Sequence, residues 1–152
     1  MDFITGLFDM DFGALVPEMD TILASVRAVL TLAVLAGPIA LLVLGVLYLF
    51  LAPPEANYRF GFRTYFGMGS VEAWRFSQKI AGLAFGGIGL ILLVVMIVVV
   101  TGFGGKDAFA IAQTAFICLC CQAGLVLLAR LTVAILAAVF FTADGGRRRQ
   151  SA

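Results

Sequence analysis

The chain has 152 residues, 62% of them hydrophobic and 12% charged, with no histidine and a formal net charge of +1. Its mean hydropathy of +1.10 goes with an apolar fraction well above the roughly 45–50% of soluble domains. That balance excludes a water-soluble globule and gives no electrostatic reason to expect a nucleic acid partner, so one membrane domain with short connections is expected.

An apolar run of about 18 or more residues reads as a spanning helix, because a hydrocarbon core about 30 Å thick is crossed at about 1.5 Å per residue. Three regions qualify. Ahead of the first, residues 1–20 are acidic (Asp2, Asp9, Asp11, Glu18, Asp20) and broken by Gly6, Gly13 and Pro17. The near-helical recurrence of Phe3, Ile4, Leu7, Phe8, Phe12 and Leu15 allows a short interfacial helix, while the acidity argues equally for a loosely ordered tail. With no basic n-region and a long approach to its apolar run, this start does not read as a secretory signal peptide.

The first span is expected over about 26–52. Pro38, after Gly37, removes one backbone donor inside it and predicts a bend, and Pro53-Pro54 ends it. Residues 53–79, PPEANYRFGFRTYFGMGSVEAWRFSQK, form a polar island that carries Arg59, Arg63, Arg75 and Lys79. Ser70 is a candidate N-cap with Glu72 in the favourable first turn, so a helix should start at Val71 and run without interruption into the second span, about 80–103. On that helix Trp74, Gln78, Ala81 and Phe85 fall on one face.

The second span is glycine-rich at its start, and Gly82 with Gly86 makes a small-xxx-small pair that admits another backbone. The partner is either a helix of this chain or a second copy, which leaves a homo-oligomer open. A turn follows at 102–107 (GFGGKD), and then about 35 mainly apolar residues, which would make roughly 50 Å of helix. Arg130 interrupts them. An arginine at the bilayer centre costs on the order of 2.5–3.5 kcal/mol, so the third crossing is placed at about 109–131, with the rest to Thr142 continuing along the cytoplasmic interface. A crossing nearer 118–141, with Arg130 facing the bundle interior, competes with it. Cys118, Cys120 and Cys121 lie inside this run, where they read as small hydrophobes and not as disulfide or metal ligands.

Basic residues alternate along the chain. The first loop holds Arg59, Arg63, Arg75 and Lys79 and the C-terminus Arg147, Arg148 and Arg149, against Arg27 alone at the membrane edge ahead of the first span and Lys106 alone in the second loop. Since basic loops stay cytoplasmic, an all-α bundle of three transmembrane helices is expected, with the N-terminus outside, and a basic cytoplasmic tail over 143–152.

Composition alone would make Tyr58, Tyr65, Trp74 and the island's cations interfacial anchors. Their pattern goes further: Asn57, then Gly61-Phe62-Arg63-Thr64, then Trp74, Gln78 and Lys79, preceded by Pro53-Pro54. Over these 27 residues the chain resembles the SdpI family of small bacterial membrane proteins, although Tyr65 stands where that family often has proline and Gln78 where asparagine is commoner. The Phe141 to Arg147 ending is weakly similar as well. The resemblance implies a multi-pass protein of the bacterial cytoplasmic membrane in which Asn57, Arg59, Gly61, Arg63, Thr64, Trp74, Gln78 and Lys79 form the working motif. It implies toxin immunity or membrane signalling, because the founding member protects its cell from a secreted killing peptide and holds a repressor at the membrane.

On the residues themselves, Arg59 and Arg63 suit lipid phosphates or an acidic surface on a soluble partner. Arg63 and Trp74 are expected to close the loop over the helix ends, with Asn57 and Gln78 satisfying buried backbone groups. The partners anticipated are thus the lipid bilayer together with a secreted antimicrobial peptide or a cytoplasmic regulator. No positioned acid, base, nucleophile, metal set or cofactor motif is recognised, so a noncatalytic protein without cofactors is expected. The competing expectation is a small oligomeric transporter or channel-like subunit, with Gln113, Thr114, Gln122 and Arg130 lining a polar path.

Overall fold

A computed structural model describes residues 12–56 and 59–148, giving the backbone alone for 12–18. It is all-α, with three helices long and apolar enough to cross a membrane. Helix α1 (Phe12–Val46) is prolonged by a π turn (Leu47–Leu51), and α2 (Val71–Thr101) and α3 (Ala108–Phe140) follow. A 3-10 turn (Phe66–Met68) lies in the first connection. No strand occurs among the described residues, only an isolated bridge from Phe141 to Arg147.

The boundaries follow from caps and prolines. From Phe12 onward the described chain is helical, so the second half of the acidic segment is continuous with the first span. Pro17 forfeits one backbone bond within it. At α2 the Ser70 hydroxyl accepts from Ala73 N–H at 3.2 Å, and the helix runs unbroken from the polar island to Thr101. Asp107 caps α3 by accepting from Ala110 N–H, and Gly105, at φ +75°, makes the turn before it.

Helices α1 and α2 share the most extensive interface, and glycine sets their separation. A Cβ on Gly45 would lie 2.6 Å from Gly86 Cα and N, and one on Gly89 would lie 2.8 Å from Leu42 N. Gly82 leaves room for Leu49, whose Cγ would be 2.5 Å from a Cβ there. The Gly82/Gly86 pair is therefore occupied by this chain's own first helix. Val34, Leu41, Phe85, Leu92, Met96, Ile111, Ala115 and Val133 belong to the buried core among the three helices.

Helix α1 continues through Gly37-Pro38. Proline at 38 cannot donate to the carbonyl of Val34, which is left open inside an apolar bundle. Gln122 of α3 satisfies that carbonyl, its Nε2 donating to Val34 O at 3.0 Å. Gly37 makes room for it, since a Cβ there would collide with Gln122 Oε1. Gln122→Leu is expected to lower the thermal midpoint in detergent by the equivalent of about 0.6–1.7 kcal/mol, the range for interhelical hydrogen bonds in membranes. In a Pro38→Ala background, where Val34 O regains its own helical donor, the penalty should shrink. A penalty that is the same in both backgrounds would remove this account of the proline.

The succession of three helices brings the first connection and the turn after α3 to one end of the bundle, where Gly69 meets Gly145, while the turn after α2 lies at the other. Helix α2 has 31 residues and α3 has 33. At about 1.5 Å each they outrun a hydrocarbon core about 30 Å thick. The surplus is the start of α2 and the end of α3, which pack through Phe76 and Phe140 with ring centroids 5.4 Å apart. Arg130 is exposed and shares a cleft with Tyr48 and Arg63, near where α1 ends. That places it close to the polar end of the bundle and not at mid-depth.

Candidate site: a basic cap at one end of the bundle

The cap is built around Gly61. Its φ of +127° is open to glycine and strained for other residues, and a Cβ there would stand 2.5 Å from Cζ2 and Cη2 of Trp74. The missing side chain lets the loop backbone come close to the indole. Trp74 is fully buried, and its ring N–H donates to Pro53 O at 2.8 Å. The next residue, Arg75, donates from Nε to Pro54 O at 3.2 Å. The two carbonyls at the proline stop are thus taken by consecutive residues of α2.

Gln78, one turn further along, treats residue 62 as a strand neighbour would. Its Nε2 donates to Phe62 O and its Oε1 accepts from Phe62 N–H, both at 2.8 Å. A buried side-chain amide with both ends used rigidifies what it holds. Phe62 then turns into the core, where its ring centroid lies 5.6 Å from Phe85 and 6.1 Å from Tyr48. Beyond it the Thr64 hydroxyl accepts from Gly67 N–H at 3.0 Å, and Gly67 is bare where Thr64 and Ser77 crowd in.

The second clamp comes from the C-terminus. After α3, Phe141 is buried against Phe76, and the chain reverses: Thr142 N–H donates to Gly146 O and Arg148 N–H to Phe140 O, both at 2.8 Å. Gly145 (φ +77°) sits at the bend, and a Cβ on Gly69 would lie 2.7 Å from Gly145 N, so the two backbones touch. Ser70 links them again, donating from Oγ to Gly145 O at 2.8 Å while it caps α2.

The motif residues therefore separate into two groups. Trp74 and Gln78 are buried and Gly61 and Thr64 half-buried, and these four hold the loop; Arg59, Arg63 and Lys79 are exposed. Trp74 and Gln78 hold the loop on α2, and Arg63 lines a cleft of about 320 Å³ with Arg130, Tyr48 and Phe62 among its walls. Asn57 and Tyr58 lie outside the described residues, as does Arg149. Sequence reasoning missed the Arg75–Pro54 bond, the Gly69–Gly145 contact and the approach of Arg130 to the loop. A glycine directly before an N-cap serine, and an Asp-Gly-Gly turn after the last span, were the available signals for the second.

Among the described residues no group of three histidine, cysteine or carboxylate side chains is placed to hold a metal. Cys118 is buried and Cys120 and Cys121 are exposed on the apolar surface of α3, all as free thiols. Gln113 is exposed, and nine residues along α3 place it about half a turn out of phase with Gln122. What the cap offers is a fixed cationic surface. No family model, no curated protein and no solved structure matches this chain.

Proposed function

We propose that the chain is a noncatalytic multi-pass protein of a bacterial cytoplasmic membrane, of the SdpI type, whose basic cap acts in toxin immunity or membrane signalling. One observation carries this. The residues on which the resemblance rests, Gly61, Trp74 and Gln78, lie against one another and fix a loop that leaves Arg59 and Arg63 exposed. A motif needed only to anchor the chain at an interface would not require that lock.

The cap end carries Arg59, Arg63, Arg75, Lys79, Arg147 and Arg148, and the far end Arg27 and Lys106. The positive-inside bias then favours a cytoplasmic cap and an outer N-terminus. In this orientation Arg59 and Arg63 face an acidic regulator or lipid phosphates, and the membrane-embedded helices are where a secreted peptide would be met. Transport in an oligomer finds less support, because Gln122 is taken up by Val34 O and Gln113 points elsewhere.

Expression in a host sensitive to a membrane-active peptide toxin should raise survival, and Arg63→Ala should abolish the gain at an unchanged membrane level. Full protection by Arg63→Ala would remove the arginine from the mechanism. Orientation is read separately. With Cys118, Cys120 and Cys121 replaced by alanine, Tyr65→Cys should resist an impermeant thiol reagent in intact cells and react after lysis. Labelling of intact cells would overturn the cytoplasmic cap.

A further inference from the structure

Beside the loop, on the other flank of α2, a groove of about 670 Å³ runs between the start of α2 and the end of α3. Its floor is aromatic: Phe76 lies with its ring centroid 5.4 Å from those of both Phe140 and Phe141. Its rim is cationic, formed by Arg75, Lys79 and Arg147, with Glu72 as the single carboxylate in the lining. Glu72 meets Arg147 at 3.6 Å across an exposed pair, which is a weak contact, so the groove keeps an excess of positive charge. Arg75 is held in place by Pro54 O through Nε, leaving the other nitrogens of its fork for a second acceptor.

The groove also has a direction. Lys79 is the last residue of the polar island, and Leu83, one turn on and on the same face, is 62% exposed in the apolar part of α2. The aromatic floor therefore opens from the basic rim onto the surface that hydrocarbon covers. A free anion would use the rim and ignore the floor. An acidic soluble protein would have no reason to reach toward Leu83. An amphiphile with a phosphate at one end and a hydrocarbon chain at the other meets both halves.

We propose that this groove binds an anionic glycerophospholipid, its phosphate held among Arg75, Lys79 and Arg147 and one acyl chain lying over Phe76 and Phe140 toward Leu83. The site requires only that the cap stand at a bilayer surface. It does not depend on the immunity or signalling role, and it is separate from the Arg63 cleft.

The test uses the full chain purified in a neutral detergent and titrated with phosphatidylglycerol, phosphatidylcholine or inorganic phosphate, reading thermal midpoint and lipid retained by native mass spectrometry. Phosphatidylglycerol should be retained and should raise the midpoint, while phosphatidylcholine and inorganic phosphate should do neither. Lys79→Ala with Arg147→Ala should weaken phosphatidylglycerol retention roughly tenfold to thirtyfold, from the usual contribution of a basic side chain at an anionic surface. Lys106→Ala, at the far end, should leave it unchanged. Both altered side chains are exposed, and an unchanged midpoint without lipid shows that the double variant is folded; should it fall, Lys79→Gln alone gives the comparison. Equal retention of the two lipids, protection by inorganic phosphate alone, or undiminished retention in the folded variants would each overturn the site, the last being the result expected if an acidic protein is the true occupant.

Discussion

Gly61→Ala is expected to open the cap, with a loss of about 3 kcal/mol or more. Two terms combine. A non-glycine residue held at φ +127° carries strain on the order of 1–3 kcal/mol, and the new methyl would stand 2.5 Å from two ring carbons of Trp74 and 3.2 Å from Gln78 Oε1. Neither neighbour has somewhere to go, because the indole is fixed to Pro53 O and the amide is used at both ends. The loop must therefore lift, exposing Phe62 and leaving the backbone groups of residue 62 without partners. Trp74 is the chain's single tryptophan, so its emission reports the event directly and should shift to the red as the midpoint falls. Gly87→Ala is the control. Nothing lies within 4 Å of a Cβ there, and alanine within a helix is favoured over glycine by about 0.5–1 kcal/mol, so stability should hold or rise with no change in emission. Unchanged emission and midpoint in Gly61→Ala would mean that the loop is not held by this contact.

What the sequence disclosed and what it hid divide along a physical line. Features set by local chemistry were legible: the Ser70 cap, the proline stop, the continuous helix from Val71, and the stripe of Trp74, Gln78, Ala81 and Phe85, all buried. Each depends on residues within a few turns of one another. The choices that required a distant partner were not legible. Gln122 and Pro38 looked like separate polar and helix-bending features, and only the fold brings the amide of one to the carbonyl orphaned by the other, across 88 residues of sequence from Val34. Arg130 was a cost to be placed somewhere along an overlong helix until the end of α1 and the Arg63 loop fixed its neighbours. The glycines at 69 and 145 were visible as turn residues, but not that they would meet, because a backbone-to-backbone contact leaves no trace in hydrophobic period.

The glycine seam between α1 and α2 yields the second large effect, and it reverses the ranking that the motif suggests. Gly86 belongs to the small-xxx-small pair, yet the nearest atom to a Cβ placed on it is Gly45 Cα at 3.8 Å, an ordinary contact. Gly86→Ala should leave stability unchanged or raise it by up to about 1 kcal/mol, since a tolerated methyl is helped by the better helix propensity of alanine. Gly45 stands in no such pair, but its methyl would come 2.6 Å from Gly86 N and Cα, which are backbone atoms with no rotamer to yield. The helices must then separate. In a bilayer, where lipid is as apolar as the side chains, close packing is what holds them together, so no hydrophobic drive compensates when the seam loosens along its length. Overpacking of this kind costs about 1–3 kcal/mol, and Gly45→Ala is expected at the upper end. Gly82→Ala should fall between, because the atoms it displaces first belong to the Leu49 side chain, which can turn aside, before it reaches Gly45 O at 3.0 Å. Thermal midpoints of the three variants in one detergent decide the matter: the order Gly45, Gly82, Gly86 from most to least damaging marks an intramolecular seam. If Gly86→Ala proved as harmful as Gly45→Ala, the glycines would be serving a contact outside this chain, and a second copy would become the partner to seek.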